Sequence, residues 1–155
     1  MHIQVRSKPI GPGGFDENDP TEIAVTQDYQ PGVLLEMLSV LKDAGFNLRA
    51  AGGPRPELGG EFAFWVGDPE KEASADEDHE AEAHAAVAAL KKAGYDAWPE
   101  TVHWVVLDDR PGTLRDELRE IAGNGYLVEE ILIGTPGKDT KGGIPVQLRL
   151  ARLNG

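Results

Sequence analysis

The chain lacks cysteine, has few basic residues and contains no long apolar segment. The lack of cysteine excludes disulfide bonds, thiolate catalysis and cysteine-ligated zinc. Lys and Arg number 15 against 27 Asp and Glu, and the net charge of −12 opposes binding to nucleic acid or to an anionic membrane. No apolar run approaches the roughly 18 residues of a membrane-spanning helix, and residues 1–6 lack the pattern of a secretory signal. These absences favour a cytoplasmic protein without nucleic-acid or membrane partners.

An internal repeat organises the 155 residues. In each copy a β-like run turns at an Asp-x-x-Pro-Gly sequence and continues as a helix that ends at glycine. The identities between the copies all share one offset (112 − 32 = 80): Thr21, Asp28, Pro31, Gly32, Leu34, Leu38 and Gly45 correspond to Thr101, Asp108, Pro111, Gly112, Leu114, Leu118 and Gly125. A constant offset over this length indicates a duplicated structural unit. We therefore expect an N-terminal strand and linker at 1–20, a first unit at 21–100 and a second at 101–155.

Hydrophobic periodicity predicts the elements of each copy. The predicted strands are 2–7, 21–28, 46–51, 61–66, 95–98, 102–107, 126–133 and 144–153, and the predicted helices are 31–45, 81–92 and 113–124. The first copy is thus β-α-β-β-α-β, whereas the second lacks the last helix and strand. The orphan strand at 2–7 is one candidate for the vacant strand position.

The doubled turn motif is the basis of a family resemblance. The two motifs are Asp28-Tyr29-Gln30-Pro31-Gly32-Val33-Leu34 and Asp108-Asp109-Arg110-Pro111-Gly112-Thr113-Leu114. They resemble the ACT domain family of small ferredoxin-like regulatory modules, as does Asn47-Leu48 after the first helix, where the second copy has Leu127-Val128. The resemblance covers about residues 21–153. It implies an α+β fold of two ferredoxin-like ACT units, each with an antiparallel sheet and helices on one face.

The resemblance also implies that a small ligand, usually an amino acid, binds near the Pro-Gly turns between units. The physical chemistry of such a turn agrees, because a helix N-terminus presents unpaired N–H groups to a carboxylate. Gly32 and Gly112 allow close approach of a ligand, and an Asp of either turn can pair with an α-ammonium group. In the simpler interpretation each Asp caps a helix and each Gly permits a turn. The candidate ligand-binding residues are Asp28, Tyr29, Gln30, Pro31, Gly32, Val33, Leu34, Asn47, Leu48, Asp108, Asp109, Arg110, Pro111, Gly112, Thr113 and Leu114.

No pattern in the sequence indicates catalysis or a metal site. His79 and His84 lie five residues apart, which does not place them on one helical face. His103, next to a tryptophan in a strand, fits a strand-face or interface role. Gly137-Lys138 lacks the spacing and the following helix of a phosphate-binding loop. We predict no catalytic residue, no metal and no cofactor.

These patterns predict a non-enzymatic regulatory module that binds an amino acid or another small ligand. The broad apolar face of the first helix, with Met37 and Val40 where the second has Glu117 and Glu120, predicts a further packing partner there. We expect a homodimer or higher homo-oligomer and, as target, a separate regulated enzyme. The alternative is a protein–protein interaction or oligomerisation module without a ligand. A small enzyme is a third, less supported interpretation, because ferredoxin-like folds host varied chemistry.

Overall fold

One six-stranded antiparallel sheet forms the centre of the protein. The computed structural model describes residues 2–9, 32–54, 60–70 and 76–153. In chain order the described elements are β1 (His2–Pro9), α1 (Val33–Asp43), β2 (Leu48–Gly52), β3 (Phe62–Val66), α2 (Asp76–Lys92), β4 (Tyr95–Leu107), α3 (Thr113–Gly123), β5 (Tyr126–Ile133) and β6 (Ile144–Arg152), with a short 3-10 turn (Lys138–Thr140) before β6. The strand order is β2-β3-β1-β4-β6-β5.

The prediction of two ferredoxin-like ACT units, each with its own sheet, is wrong, because the strands of both halves belong to one curled sheet. β4 is uninterrupted over 13 residues. Its residues 95–102 pair with β1, and its residues 103–107 pair with β6. The expected boundary between residues 100 and 101 therefore falls inside a strand. Val102, Trp104 and Val105 favour extended backbone, and no turn-forming residue after Pro99 interrupts them.

The N-terminal strand forms as predicted but has different neighbours. β1 lies between β3 and β4, with Val5 opposite Phe64 on one side and Pro99 on the other. It belongs to the first half of the sheet, so the hypothesis that it completes the second copy is wrong. The predicted strand at 21–28 lies outside the described residues.

Two apolar clusters lie between the sheet and the helices. The first contains Met37 of α1, Phe64 of β3 and Leu90 of α2, each fully buried. The second, beneath α3, contains Ile121 and Leu148. Three residues of α1 are buried but only one of α3. The wider apolar face predicted for the first helix is thus confirmed, and α2 is the element that packs beside it.

The sheet curls so strongly that strands far apart in its order come into contact. In a flat sheet β1 and β5 would lie about 14 Å apart, because three steps of about 4.8 Å separate them. Arg6 on β1 nevertheless reaches Glu130 on β5 at 2.6 Å. Beyond the end of β5, the amide of Thr135 donates to the carbonyl of Arg49 on β2 at 3.2 Å. We call the concave side of the sheet, which carries Arg6, the inner face.

Arg6 joins three strands at the centre of the inner face. Its side chain is 1% exposed. It contacts Glu100 of β4 at 2.7 Å, Glu130 of β5 at 2.6 Å and, at 3.6 Å, Glu61, the residue before β3. Taking charges out of water is costly, and opposite charges offset that cost only while every partner is present. Burial of Arg6 therefore requires the curl of the sheet, because only the curl brings all three carboxylates within reach.

Replacing Arg6 with alanine should destabilise the fold, because three carboxylates lose their common counter-charge. Breaking a buried ion pair costs about 3–5 kcal/mol, and partial exposure of these glutamates reduces the expected loss to about 2–4 kcal/mol. Urea unfolding measures the effect. Arg115→Ala is the control, since the Arg115–Asp116 pair is exposed and its loss should cost less than about 0.5 kcal/mol. Equal effects of the two substitutions would contradict this role of Arg6.

Candidate functional site

The second Asp-x-x-Pro-Gly turn connects β4 to α3. Gly112 immediately precedes the helix with φ of 90°, a conformation that glycine adopts without a steric penalty. The hydroxyl of Thr113 donates to the carbonyls of Asp108 and Arg110 at 2.9 and 3.2 Å. These bonds hold the turn in shape and direct the Thr113 side chain away from the helix amides.

The N-terminus of α3 has no side-chain cap among the described residues. The amide of Asp116 bonds to the carbonyl of Gly112 at 3.0 Å and closes the first helical turn. The amides that precede Asp116 in the first turn have no intrahelical acceptor, as at any helix start. They are the donors that the sequence predicted for a carboxylate ligand.

An open cleft of about 280 Å³ lies beside this turn, between the end of β4 and α3. Four carboxylates line it, those of Asp108, Asp116, Glu117 and Glu120, together with the guanidinium of Arg110. Negative groups thus outnumber the positive one by four to one. The cleft favours ligands that bring positive charge.

The predicted residues of the second copy fall into three groups. Asp108, Arg110 and Thr113 line the cleft. The remaining turn residues, Asp109, Pro111 and Gly112, are exposed. Leu114 packs into the apolar cluster beneath α3, so it serves the fold.

The predicted residues of the first copy are only partly described. Asp28, Tyr29, Gln30 and Pro31 lie outside the described residues. Gly32 precedes α1 with φ of −155° and ψ of −15°, outside the left-handed region that Gly112 occupies. Val33, Leu34 and Leu48 pack into the first apolar cluster. The side chain of Asn47 accepts a hydrogen bond from the amide of Leu48 at 2.9 Å.

The inner face carries a second polar site, which sequence reasoning missed. Gln4 donates from Nε2 to Oε1 of Gln147 at 3.3 Å, and Gln147 donates from Nε2 to Nδ1 of His2 at 3.0 Å. Gln4 and Gln147 are 2% and 1% exposed. Oε1 of Gln4 has no hydrogen-bond donor within the described part of the chain. The three side chains link the first half of the sheet to the second.

Arg149 of β6 extends the ion pairs around Arg6. It lies 3.1 Å from Glu129, 3.7 Å from Glu100 and 3.8 Å from Glu61. Two of these carboxylates are shared with Arg6. The signal in the sequence was the alternation of polar and apolar residues in β1 and β6. This alternation indicates one polar face of the sheet but does not indicate whether that face is exposed to solvent.

His2 lies among aromatic rings at the end of β1. Its ring stacks on Trp104 and His79 with centroid distances of 4.5 and 3.9 Å, and meets Trp65 edge-on at 5.6 Å. Burial, followed by the proximity of His79, lowers the pKa of His2 to about 3. His2 is therefore neutral at pH 7, in agreement with the hydrogen bond that its Nδ1 accepts from Gln147.

Within the described part of the chain, the histidines form no metal-binding group with their neighbours. His103, predicted to lie on a strand face, is exposed at the surface of β4 with Nε2 3.6 Å from Glu117. Across residues 2–9, 32–54, 60–70 and 76–153, no three His, Asp or Glu side chains are arranged to hold a metal ion.

Comparison with known proteins supports the fold without assigning a family. No family model matches the chain, and no curated protein matches it. The crystal structure of protein BT0572 from Bacteroides thetaiotaomicron is similar, with a TM-score of 0.65, 17% sequence identity and coverage of 99% of this chain and 81% of that chain. At that identity the likeness concerns the fold alone. None of the helices described here is long and apolar enough to cross a membrane.

His2 should make the stability of the protein depend on pH. Its pKa is 6.5 in a solvated chain and about 3 in the fold, so in this interval protons bind preferentially to the unfolded state. The contribution is complete above pH 6.5 and is lost as the pH falls toward 3. Phenylalanine keeps a ring but cannot be protonated, so His2→Phe should lose less stability than the parent between about pH 7 and pH 4.5 in urea unfolding.

The matched control is His84→Phe, because His84 is exposed on α2. It should leave the difference in unfolding free energy between the two pH values unchanged. A parent-like pH dependence in His2→Phe would contradict the assignment of this dependence to His2.

Proposed function

We propose that the protein is a non-enzymatic module that binds a small zwitterionic ligand, most simply an amino acid, in the cleft between β4 and α3. The supporting observation is that an uncapped helix N-terminus adjoins a cleft of about 280 Å³. Helix N-terminal amides attract carboxylates. Sites for drug-sized ligands occupy about 300–1,000 Å³, so a cleft just below that range suits a smaller molecule.

Arg110 is the side chain best placed to assist the amides. It is 68% exposed, and its Nε lies 3.6 Å from a carboxylate oxygen of Asp108, which is 81% exposed. An exposed pair of this kind is held by no more than about 1 kcal/mol. Arg110 is thus free to turn toward a ligand carboxylate, and Asp108 toward a ligand ammonium group.

The carboxylates of α3 set the expected ligand preference. Asp116, Glu117 and Glu120 follow one another along the cleft wall. Hydrogen bonds between an ammonium group and a carboxylate are stronger than neutral ones. The two ammonium groups of an amino acid with a cationic side chain can pair with two of the carboxylates, whereas the side chain of an acidic one adds a further negative charge. Basic amino acids are therefore the preferred ligands in this proposal.

In the same proposal, ligand binding regulates a separate enzyme. A ligand shifts a protein toward the arrangement that it binds better. The protein itself performs no catalysis, and the regulated enzyme recognises the ligand-bound arrangement, either of one chain or of a homo-oligomer.

Isothermal titration tests the binding proposal with lysine, leucine and glutamate at low salt. We expect lysine to bind most tightly and glutamate most weakly. Glu120→Gln should reduce the affinity for lysine about two- to fivefold, the effect of losing one partly exposed ion pair. Glu80→Gln is the control, because Glu80 is an exposed carboxylate of α2. The absence of binding heat for all three ligands at millimolar concentration would refute the proposal.

One observation favours the alternative of an interaction module. β5 is an edge strand of the sheet. Its side chains Leu127, Ile131 and Ile133 are 51%, 37% and 58% exposed. Edge strands present unpaired backbone groups that pair readily with another strand. Apolar side chains on such an edge favour association through β5.

Analytical ultracentrifugation over a range of concentrations tests that alternative. If β5 mediates self-association, Ile133→Lys should shift the protein toward the monomer, because it buries a charge at the interface. Leu35→Lys is the control, since Leu35 is 68% exposed on α1, away from this edge. A parent protein that remains monomeric at every concentration would rule out self-association through β5.

A further inference from the structure

The connection between β5 and β6 crosses to the opposite edge of the sheet. We call this connection, residues 134–143, the strap. Its sequence is Gly-Thr-Pro-Gly-Lys-Asp-Thr-Lys-Gly-Gly, and Pro136 is its most apolar side chain. With so little apolar surface to bury, the strap stays in place through polar contacts, each of which contributes only modest net free energy.

Arg49 of β2 anchors the strap. Its guanidinium binds both carboxylate oxygens of Asp139, with Nη2 at 2.6 Å from Oδ1, and its Nε donates to the carbonyl of Thr135 at 2.9 Å. The guanidinium also lies 5.4 Å from the ring centroid of Trp65. The hydrogen bond from Arg49 lowers the pKa of Asp139. The pair is therefore charged at neutral pH and sensitive to substitution of either partner.

A second anchor lies where the strap meets the segment after β3. The amide of Lys138 donates to the carbonyl of Pro69 at 2.9 Å. A Cβ atom at Gly137 would lie 1.9 Å from that same oxygen. Backbone atoms cannot give way as a flexible side chain can, so any larger residue at position 137 prevents this contact. Gly137 itself has ordinary extended backbone, with φ of −157°.

The strap keeps its own shape through internal hydrogen bonds. The hydroxyl of Thr140 donates to the carbonyl of Gly137 and accepts from its amide, both at 3.0 Å. Glycines stand at both ends of the strap: Gly134 follows β5, and Gly142, with φ of 85°, lies just before β6. These positions can absorb changes in backbone angle while the middle of the strap moves as one piece.

The strap covers the rim of the inner face. At Gly134 its backbone lies directly on the indole of Trp65, and a Cβ there would lie 2.7 Å from the ring. Trp65 is 1% exposed. His2 and Trp104 pack against the same indole. A displacement that lifts Gly134 from the indole would therefore uncover the ring of Trp65.

We propose that residues 134–143 open and close as a unit over the inner face, with the Arg49–Asp139 pair as the latch. Segments with few apolar contacts open at a lower free energy than the whole fold. The strap opens while β1, β4 and β6 remain paired, and each opening gives solvent or a ligand access to the aromatic group around Trp65. This motion does not require an amino acid in the cleft beside α3.

Hydrogen exchange followed by NMR on the full chain tests the proposal. The amide of Thr135 donates to the carbonyl of Arg49 on β2, and the amide of Lys138 donates to that of Pro69 after β3. Exchange of these two amides therefore reports strap opening. We expect these amides to exchange at least about tenfold faster than those of Val5 and Leu148, with little dependence on urea, as for local opening. Equal protection and equal urea dependence at all four amides would overturn the proposal.

Two variants and a control sharpen this test. Gly137→Ala should hold the strap open, reducing protection at Thr135 and Lys138 about tenfold or more and leaving β1 and β6 protected. Gly123→Ala is the control, because a Cβ at Gly123 meets no atom within 4 Å. Asp139→Asn weakens the latch without added bulk and should give a smaller loss at the same amides. Uniform loss of protection in Gly137→Ala, or unchanged strap protection in Asp139→Asn, would contradict opening as a unit.

Discussion

The contact of Arg6 with the carboxylates of Glu61, just before β3, Glu100 of β4 and Glu130 of β5 is the interaction on which the architecture depends. Helices and apolar clusters cover one side of the sheet. The other side carries polar and charged side chains, of which Gln4, Arg6 and Gln147 are at most 2% exposed. Only a curled sheet brings these groups close enough to satisfy one another, because strands that are far apart in the sheet order must meet. The ion pairs therefore form only in the curled sheet, and they in turn stabilise the curl.

The elements of the fold were largely predictable from the sequence, because helical and strand periodicity are local. The predicted helix at 113–124 and strand at 126–133 match α3 and β5 closely. The pairing of strands was not predictable in the same way. Nothing in the alternation of β1 states whether it joins the first or the second copy, and the long β4 serves both. A repeat in sequence thus produced one shared sheet.

The hidden polar face illustrates a second limit of periodicity. Alternation placed Gln4 and Arg6 opposite the apolar side of β1, and a polar strand face is ordinarily solvated. A usable signal was the complementarity of charge between predicted strands. Arg149 and Glu130 lie in two of the predicted strands, and opposite charges on adjacent strands favour pairing. Charge complementarity of this kind indicates which strands pair, whereas periodicity alone does not.

Part of the candidate cleft could be predicted from the sequence. The repeat identified the turn that adjoins it, including Asp108 and Arg110. The repeat also contained the source of its charge, because Glu117 and Glu120 replace apolar residues of the first helix. That replacement predicts a narrower buried face on α3 than on α1. The structure shows its second consequence, since both glutamates line the cleft. One substitution pattern thus reduces packing and supplies charge.

The cleft and the strap share a physical boundary. Val106 lines the cleft, and the last residue of the strap, Gly143, lies so close that a Cβ there would be 2.5 Å from Val106 Cγ1. A ligand that moves Val106 therefore acts on the base of the strap. By thermodynamic linkage, the factor by which a bound ligand increases the equilibrium constant for strap closure equals the factor by which closure increases the affinity for that ligand. Any coupling between the two features must appear in both measurements, and Val106 and Leu107 are the cleft residues that lie against Gly143.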